Sequence, residues 1–342
     1  MLEITKYSFA NGKIRAMLSY LLTKEEFFSL YMKDIDGIIE ELKNKKYYRN
    51  IFSKIHKKEL ENLPLTEKIL KKNDIGICRK IKNFIPTRRE KEFISLFIEK
   101  YEVEQIKTAL SLWHKKVSNN IHNFFIEEKI VHKIDYKKII DSSSYDEIIS
   151  LVEKTPYKKP LIEAKNFYNE EKSIFYPEIF VDIYYYKKLI EESQKLSKMD
   201  REVMKRIIGV IVDIENIRFL FRIIKYYPSK ISKLYSFIIL EGKYINLKEK
   251  KLKTEKDFLD FLSKTPYASL TEFLNSDYYK FENFLYQILY DNIHKILYGF
   301  PFTIGTPVGY MILKERETKN LISLLYGKKY NWEREKLKMV LK

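Results

Sequence analysis

The side chains whose types and spacing could do chemistry are few, and their arrangement favours structure over catalysis. Glu215 and Arg218 lie three apart, the spacing at which a helix brings opposite charges together, so an ion pair at a helix–helix contact is expected. Five histidines occur, His56, His114, His122, His132 and His294. His114 and His122 are two helical turns apart, too far to share a metal without other ligands, so each histidine is expected to face solvent or bond locally. The single cysteine, Cys78, excludes an internal disulfide framework and a cysteine-based zinc site. Neither Gly-rich phosphate loop occurs, nor does a nucleophile elbow or a zinc-protease helix. Gly305-Thr306-Pro307-Val308-Gly309, the nearest glycine cluster, reads as a turn. Tyr184-Tyr185-Tyr186 could resemble a base-stacking platform, but on a helix the three rings diverge, which predicts core packing with one exposed hydroxyl. No catalytic, cofactor-binding or metal-binding residue is expected, and no cofactor.

The elements that carry these residues recur. Slid by 110 positions, the chain brings Asp34, Ser144 and Thr254 into register, each a residue whose side-chain oxygen can cap the free N–H groups of a first helical turn. Ser144 with Glu147 predicts a capping box, and Thr254 with Asp257 a weaker one. Behind the caps, Ile38, Ile39 and Leu42 match Ile148, Ile149 and Val152, then Phe258, Leu259 and Leu262, and their spacing puts each trio on one helical face. Each segment stops at an aromatic: Lys45-Lys46-Tyr47, Thr155-Pro156-Tyr157 and Thr265-Pro266-Tyr267. Proline accounts for two of the stops, because it drives the preceding residue out of the helical region. A second block, Glu104 to Leu110, matches Glu215 to Phe221 at a shift of 111, with looser copies at Lys13 to Leu18 and Lys319 to Leu325. Long aromatic-rich helical stretches precede the inner and final copies. Each unit therefore reads as a capped short helix, a turn ending in Tyr, a long helix and then the second block. The expected boundaries are 1–125 (an N-terminal helix plus repeat 1), 126–236 and 237–342. Three such units can close in a pseudo-threefold ring or run as an open superhelix.

Composition agrees with an all-α fold. The chain has 342 residues, 45% of them hydrophobic, and only nine Gly and nine Pro, too few for the turns of a sheet-rich fold. The net charge of +17 suggests a polyanionic partner, and a basic helical-repeat nucleic-acid binder is the alternative reading. However, only eleven of the 64 basic residues are Arg, and the Lys excess alternates with Glu and Asp, as in Lys248-Glu249-Lys250-Lys251. A solvated basic surface follows. Met1 leads into Glu3 and Lys6 rather than an apolar signal segment, and no window is long enough to span a membrane. A cytosolic chain without direct membrane insertion is expected.

Several segments together resemble a known family. Gly309-Tyr310-Met311-Ile312-Leu313-Lys314-Glu315-Arg316-Glu317-Thr318-Lys319-Asn320-Leu321 looks like the C-terminal signature of the central-stalk C subunits of V/A-type rotary ATPases, whose eukaryotic V-ATPase equivalent is the d subunit. Asp213-Ile214-Glu215-Asn216-Ile217-Arg218 resembles the second-repeat version. Tyr7-Ser8-Phe9-Ala10-Asn11-Gly12-Lys13-Ile14-Arg15 resembles the N-terminal one, and the Thr-Pro-Tyr segments ending at Tyr157 and Tyr267 match as well. The family-motif positions are thus Tyr7, Arg15, Tyr157, Glu215, Asn216, Arg218, Tyr267, Tyr310, Lys314, Glu315, Glu317 and Asn320, with a structural role implied. The resemblance implies three helical subdomains in a funnel, one copy per complex, seated on the cytoplasmic face of a membrane proteolipid ring. It also implies that the funnel receives a rotor shaft made of the D and F subunits, and that the chain couples ATP turnover to H+ or Na+ transport without being an enzyme. No nucleic acid is expected as a partner.

Overall fold

The computed structural model describes residues 2–53, 62–117, 121–227, 242–245, 252, 254–272, 278–333 and 337. Among them every regular element is helical, as the composition predicts. None of these helices is long and apolar enough to cross a membrane. The chain divides into two compact units, Met1–Glu178 with Thr306–Lys342, and Ile179–Gly305.

The first unit opens with α1 (Leu2–Leu18), α2 (Lys24–Met32), α3 (Ile35–Lys43) and α4 (Arg49–Phe52). The helices α5 (Leu63–Phe84) and α6 (Arg88–His114) follow and pack on each other. Pro86 explains their separation: Ile85 before it is extended, at φ −87° and ψ 127°. Then come α7 (Tyr136–Asp141), α8 (Tyr145–Leu151) and α9 (Lys158–Glu171), which ends on Lys172 in the left-handed conformation. The first turn of α10 (Phe175–Gln194) and nearly all of α14 (Gly305–Lys329) complete this unit. The second unit holds the rest of α10, then α11 (Lys198–Tyr226), α12 (Glu255–Leu262) and α13 (Tyr278–Leu297).

The three predicted caps are caps. Asp34, Ser144 and Thr254 stand at the N-termini of α3, α8 and α12, and accept from the backbone N–H of Gly37, Glu147 and Asp257. The two boxes differ from expectation. Thr254 and Asp257 form the complete reciprocal box, whereas Glu147 reaches past Ser144 to the backbone N–H and hydroxyl of Ser143. The apolar trios are buried except for Leu259, which is half-buried; Phe261 takes an inward position beside Phe258 and Leu262.

The turns behind these helices repeat in detail. The Thr155 and Thr265 hydroxyls donate to the carbonyls of Val152 and Leu262 at 2.8 and 2.7 Å, and accept the N–H of Tyr157 and Tyr267. Tyr157 and Tyr267 are thereby fully buried. In the first copy the expected aromatic, Tyr47, is only half-buried and Tyr48 is the buried one. Lys45 and Lys46 lack both the hydroxyl and the proline, so the chain winds on, with Tyr48 and Arg49 both donating to the Lys45 carbonyl. That extra turn brings the next ring inward. A second correction concerns Gly305 to Gly309, which forms the first turn of α14 and not a free turn. Pro307 is tolerated there because its missing N–H would lie unpaired in a first turn anyway. Gly305 is required by space, since a Cβ would meet Val203 Cγ1 at 2.5 Å.

Candidate functional site

Aligning the second block of each repeat also aligns the residue two places upstream, which is acidic each time: Glu102 on α6, Asp213 on α11 and Glu317 on α14. All three lie on helices otherwise packed with apolar residues, and they are 0%, 0% and 5% exposed. A buried carboxylate is stable only if its oxygens are hydrogen-bonded. Each of these is, and in the same way: it accepts a backbone N–H from the segment leading to a capped helix, and it lies against the tyrosine that ends that helix.

On α6, Glu102 accepts the N–H groups of Val131 and His132 at 2.9 and 2.7 Å, and its other oxygen lies 2.6 Å from His132 Nδ1. The Tyr157 hydroxyl donates to neighbouring Glu99 at 3.4 Å. Burial, then the Glu102 and Glu99 charges, hold that phenol far above its ordinary range. On α11, Asp213 accepts the N–H of Tyr244 at 3.0 Å, that of Ile245 at 2.9 Å and the Tyr267 hydroxyl at 3.0 Å. Burial pushes the Asp213 carboxyl up to about 6, against the lowering effect of those donors. The loop comes so close that a Cβ on Gly242 would stand 2.1 Å from Asp213 Oδ1, and one on Gly209 would meet Lys243 Cβ at 2.9 Å.

The third clasp, on α14, is the most charged. Glu317 accepts the Leu22 N–H on one oxygen; the other takes the Tyr48 hydroxyl at 2.5 Å and Lys314 Nζ at 2.7 Å. Lys314, 2% exposed, also donates to the Tyr48 hydroxyl and lies 4.3 Å from the centre of that ring. Asp74 of α5 approaches Lys314 at 4.0 Å and accepts from Tyr101 at 3.5 Å. Burial drives the Asp74 carboxyl up to about 7, although Lys314 pulls it down. The packing follows the same line: Leu321, Leu324 and Leu325 of α14 share a core with Leu30, Ile38, Ile39, Leu42 and Phe52. Each capped helix is therefore tied to the block that precedes it in sequence, except the first, which is tied to the last, across 295 and 269 residues.

Among the remaining motif positions, Arg218 and Glu315 make ion pairs of their own. Arg218 pairs with Glu215 at 2.7 Å, as its spacing predicts, and its Nε also binds both oxygens of Glu282 on α13 at 3.0 and 3.1 Å. Burial lowers the Arg218 pKa, and the two carboxylates more than reverse this. Glu315 accepts Lys100 at 2.8 Å and Lys319 at 2.6 Å; burial raises its pKa, but the two cations bring it well below the usual range. Tyr7, Asn216, Tyr310 and Asn320 are buried, whereas Arg15 is exposed. Tyr185 and Tyr186 are buried and Tyr184 is half-buried, in line with core packing. Glu102 and Tyr48 escaped the motif reading, and Asp213 stood in a motif segment without being singled out. The recurrence of an acid two residues before the second block at Glu104, Glu215 and Lys319, though not at Lys13, was the signal that could have found the acids.

Chemically, these clasps hold rather than react. The carboxylates of Glu102, Asp213 and Glu317 are each held by several donors, and no described group of His, Cys, Asp and Glu could hold a metal ion. The family model described as ATP synthase (C/AC39) subunit matches residues 10–339. The chain is 25% identical over 334 residues to the A-type ATP synthase C subunit of Methanosphaera stadtmanae, covering 94% of this chain and 83% of that protein. It is 22% identical to that of Methanocaldococcus jannaschii, covering 100% and 87%, and 23% identical to that of Thermococcus onnurineus, covering 93% and 85%.

Proposed function

We propose a coupling role for this chain, on the premise that it belongs to the ATP synthase (C/AC39) subunit family. It is a non-catalytic part of the central stalk. It joins a shaft of D and F subunits to the membrane proteolipid ring, so that ATP-linked rotation is matched to H+ or Na+ transport. One copy serves each complex, peripheral on the cytoplasmic face. The observation that carries this reading is the family match across residues 10–339.

The geometry supports it. A part that transmits torque must resist sliding between its helices, and a greasy contact alone resists sliding poorly. Directional bonds to a buried charge do better, each contributing about 1.5–3 kcal/mol. Three helices, α6, α11 and α14, are each held by such bonds. Three units at 1–125, 126–236 and 237–342, set as a pseudo-threefold funnel, would place the clasped helices as equivalent walls around a shaft. The experiment is reconstitution into vesicles with and without this chain. With it, ATP hydrolysis drives ion uptake; without it, hydrolysis continues and uptake is lost. Uptake that persists without the chain overturns the proposal.

A further inference from the structure

The loop between α13 and α14 carries an apolar tip that the fold itself does not bury. Leu297, Thr303 and Ile304 anchor its ends, at 4%, 2% and 0% exposure, and the Ile304 N–H donates to Asp200 of α11 at 2.8 Å. Between these anchors Tyr298 is 82% exposed and Phe300 49%, with Phe302 half-buried against Phe300, their rings 5.5 Å apart. The Asp200 bond sets this tip beside the start of α11, where Met199 is 43% exposed.

Cations surround the tip. Lys198 precedes Met199, and Lys205 and Arg206 lie two turns further along α11 on the same side; Lys295 comes from the last turn of α13. All four are exposed, and among the described residues none is held in an ion pair. The exposed acids nearby are Glu202 and Asp291, so positive charge predominates. Large exposed apolar patches mark interaction sites, and here three exposed apolar side chains come from two segments tied together by the Asp200 bond. Aromatic rings with a flexible Met, ringed by Lys, fit the boundary between lipid headgroups and acyl chains, where rings bury shallowly and cations meet phosphate.

We infer that the Tyr298–Phe300 tip, with Lys198, Lys205, Arg206 and Lys295, is a peripheral docking surface for an anionic lipid bilayer. The contact is interfacial and involves no membrane span. It stands independently of the coupling role, which is read from ion uptake and not from lipid binding by the isolated chain.

Flotation of the full-length chain with vesicles tests it, using phosphatidylcholine alone or mixed with phosphatidylglycerol at about 0.15 M salt. The mixed vesicles should retain the chain and the neutral ones should not. Each lysine near an anionic surface contributes about fivefold, so Lys198→Glu with Lys205→Glu should weaken retention at least about 25-fold. Tyr298→Ser with Phe300→Ser should abolish retention at that salt, and added single-stranded RNA should leave wild-type flotation unchanged. All four positions are exposed, so unchanged circular dichroism and melting are expected. Equal binding to neutral vesicles, wild-type retention by either variant, no binding at all, or displacement by RNA would each overturn the assignment.

Discussion

Replacing Tyr267 with phenylalanine deletes one hydroxyl and nothing else, and that hydroxyl donates to Asp213 at 3.0 Å. The Tyr244 and Ile245 N–H groups remain, so the carboxylate is weakened but not orphaned. At a pH of about 7.5 Asp213 is ionised, and losing a bond to a buried charge costs about 1.5–3 kcal/mol. The cost should depend on pH in a defined direction. Asp213 has been pushed up to about 6, so at a pH near 5 it is mostly protonated in the fold. The lost bond is then between neutral groups and is worth only about 1 kcal/mol. At about 2–4 °C per kcal/mol, Tyr267→Phe should lower Tm by roughly 3–12 °C at the higher pH and by less at the lower. Circular dichroism melts at both pH values are the assay. Tyr157→Phe is the internal comparison. Its bond, to Glu99, is longer, at 3.4 Å, and the three contacts that hold Glu102 do not involve it, so its loss should be the smaller. A Tm loss below about 1 °C for Tyr267→Phe at the higher pH, or a larger loss at the lower pH, would refute the clasp as described.

Asp74→Asn should flatten the pH dependence of stability. Its folded value of about 7 lies above the ordinary 3.8, so between them the folded chain holds a proton that the unfolded chain has released. Its contribution therefore falls as pH rises through that window and levels off above about 7; urea midpoints across the window check this, and an unchanged slope in the variant would count against it. Lys314→Met leaves Glu317 and Asp74 without their buried cation and should cost about 3–5 kcal/mol in urea denaturation; a cost below about 1 kcal/mol would mean that the lysine is incidental. Gly242→Ala forces a methyl group onto Asp213 and should cost about 1–3 kcal/mol or more, whereas Gly12→Ala, with open space at its Cβ, should gain about 0.5–1 kcal/mol. Equal effects at the two glycines, measured by the same melts, would show that the close approach at Gly242 is not a constraint.

Local physics made part of this molecule legible in advance. Asp34, Ser144 and Thr254 could be recognised as caps because capping needs only one side-chain oxygen and the next turn of the same chain. The Glu215–Arg218 pair was legible for the same reason, being three residues apart on one helix. Glu282, the other partner of Arg218, was not, because it comes from another helix. Nor could spacing choose between Tyr47 and Tyr48: the choice rests on one additional hydrogen-bonded turn after Lys45 and on where Glu317 waits for a hydroxyl.

By itself, then, the sequence determined that the chain is helical, that its units recur about every 110 residues, and where the short helices begin and stop. Those properties depend on neighbours within a turn or two. Only the tertiary structure decided which helix receives which. The segment from Leu22 to Tyr48 closes on Glu317 at the far end of the chain, and Asp74 and Lys314 become buried charges through that closure. A carboxylate on an apolar helix advertises a missing donor, but any backbone N–H can supply one. Which N–H arrives is settled by packing across 29, 32 or 295 residues, and that packing has no local signature.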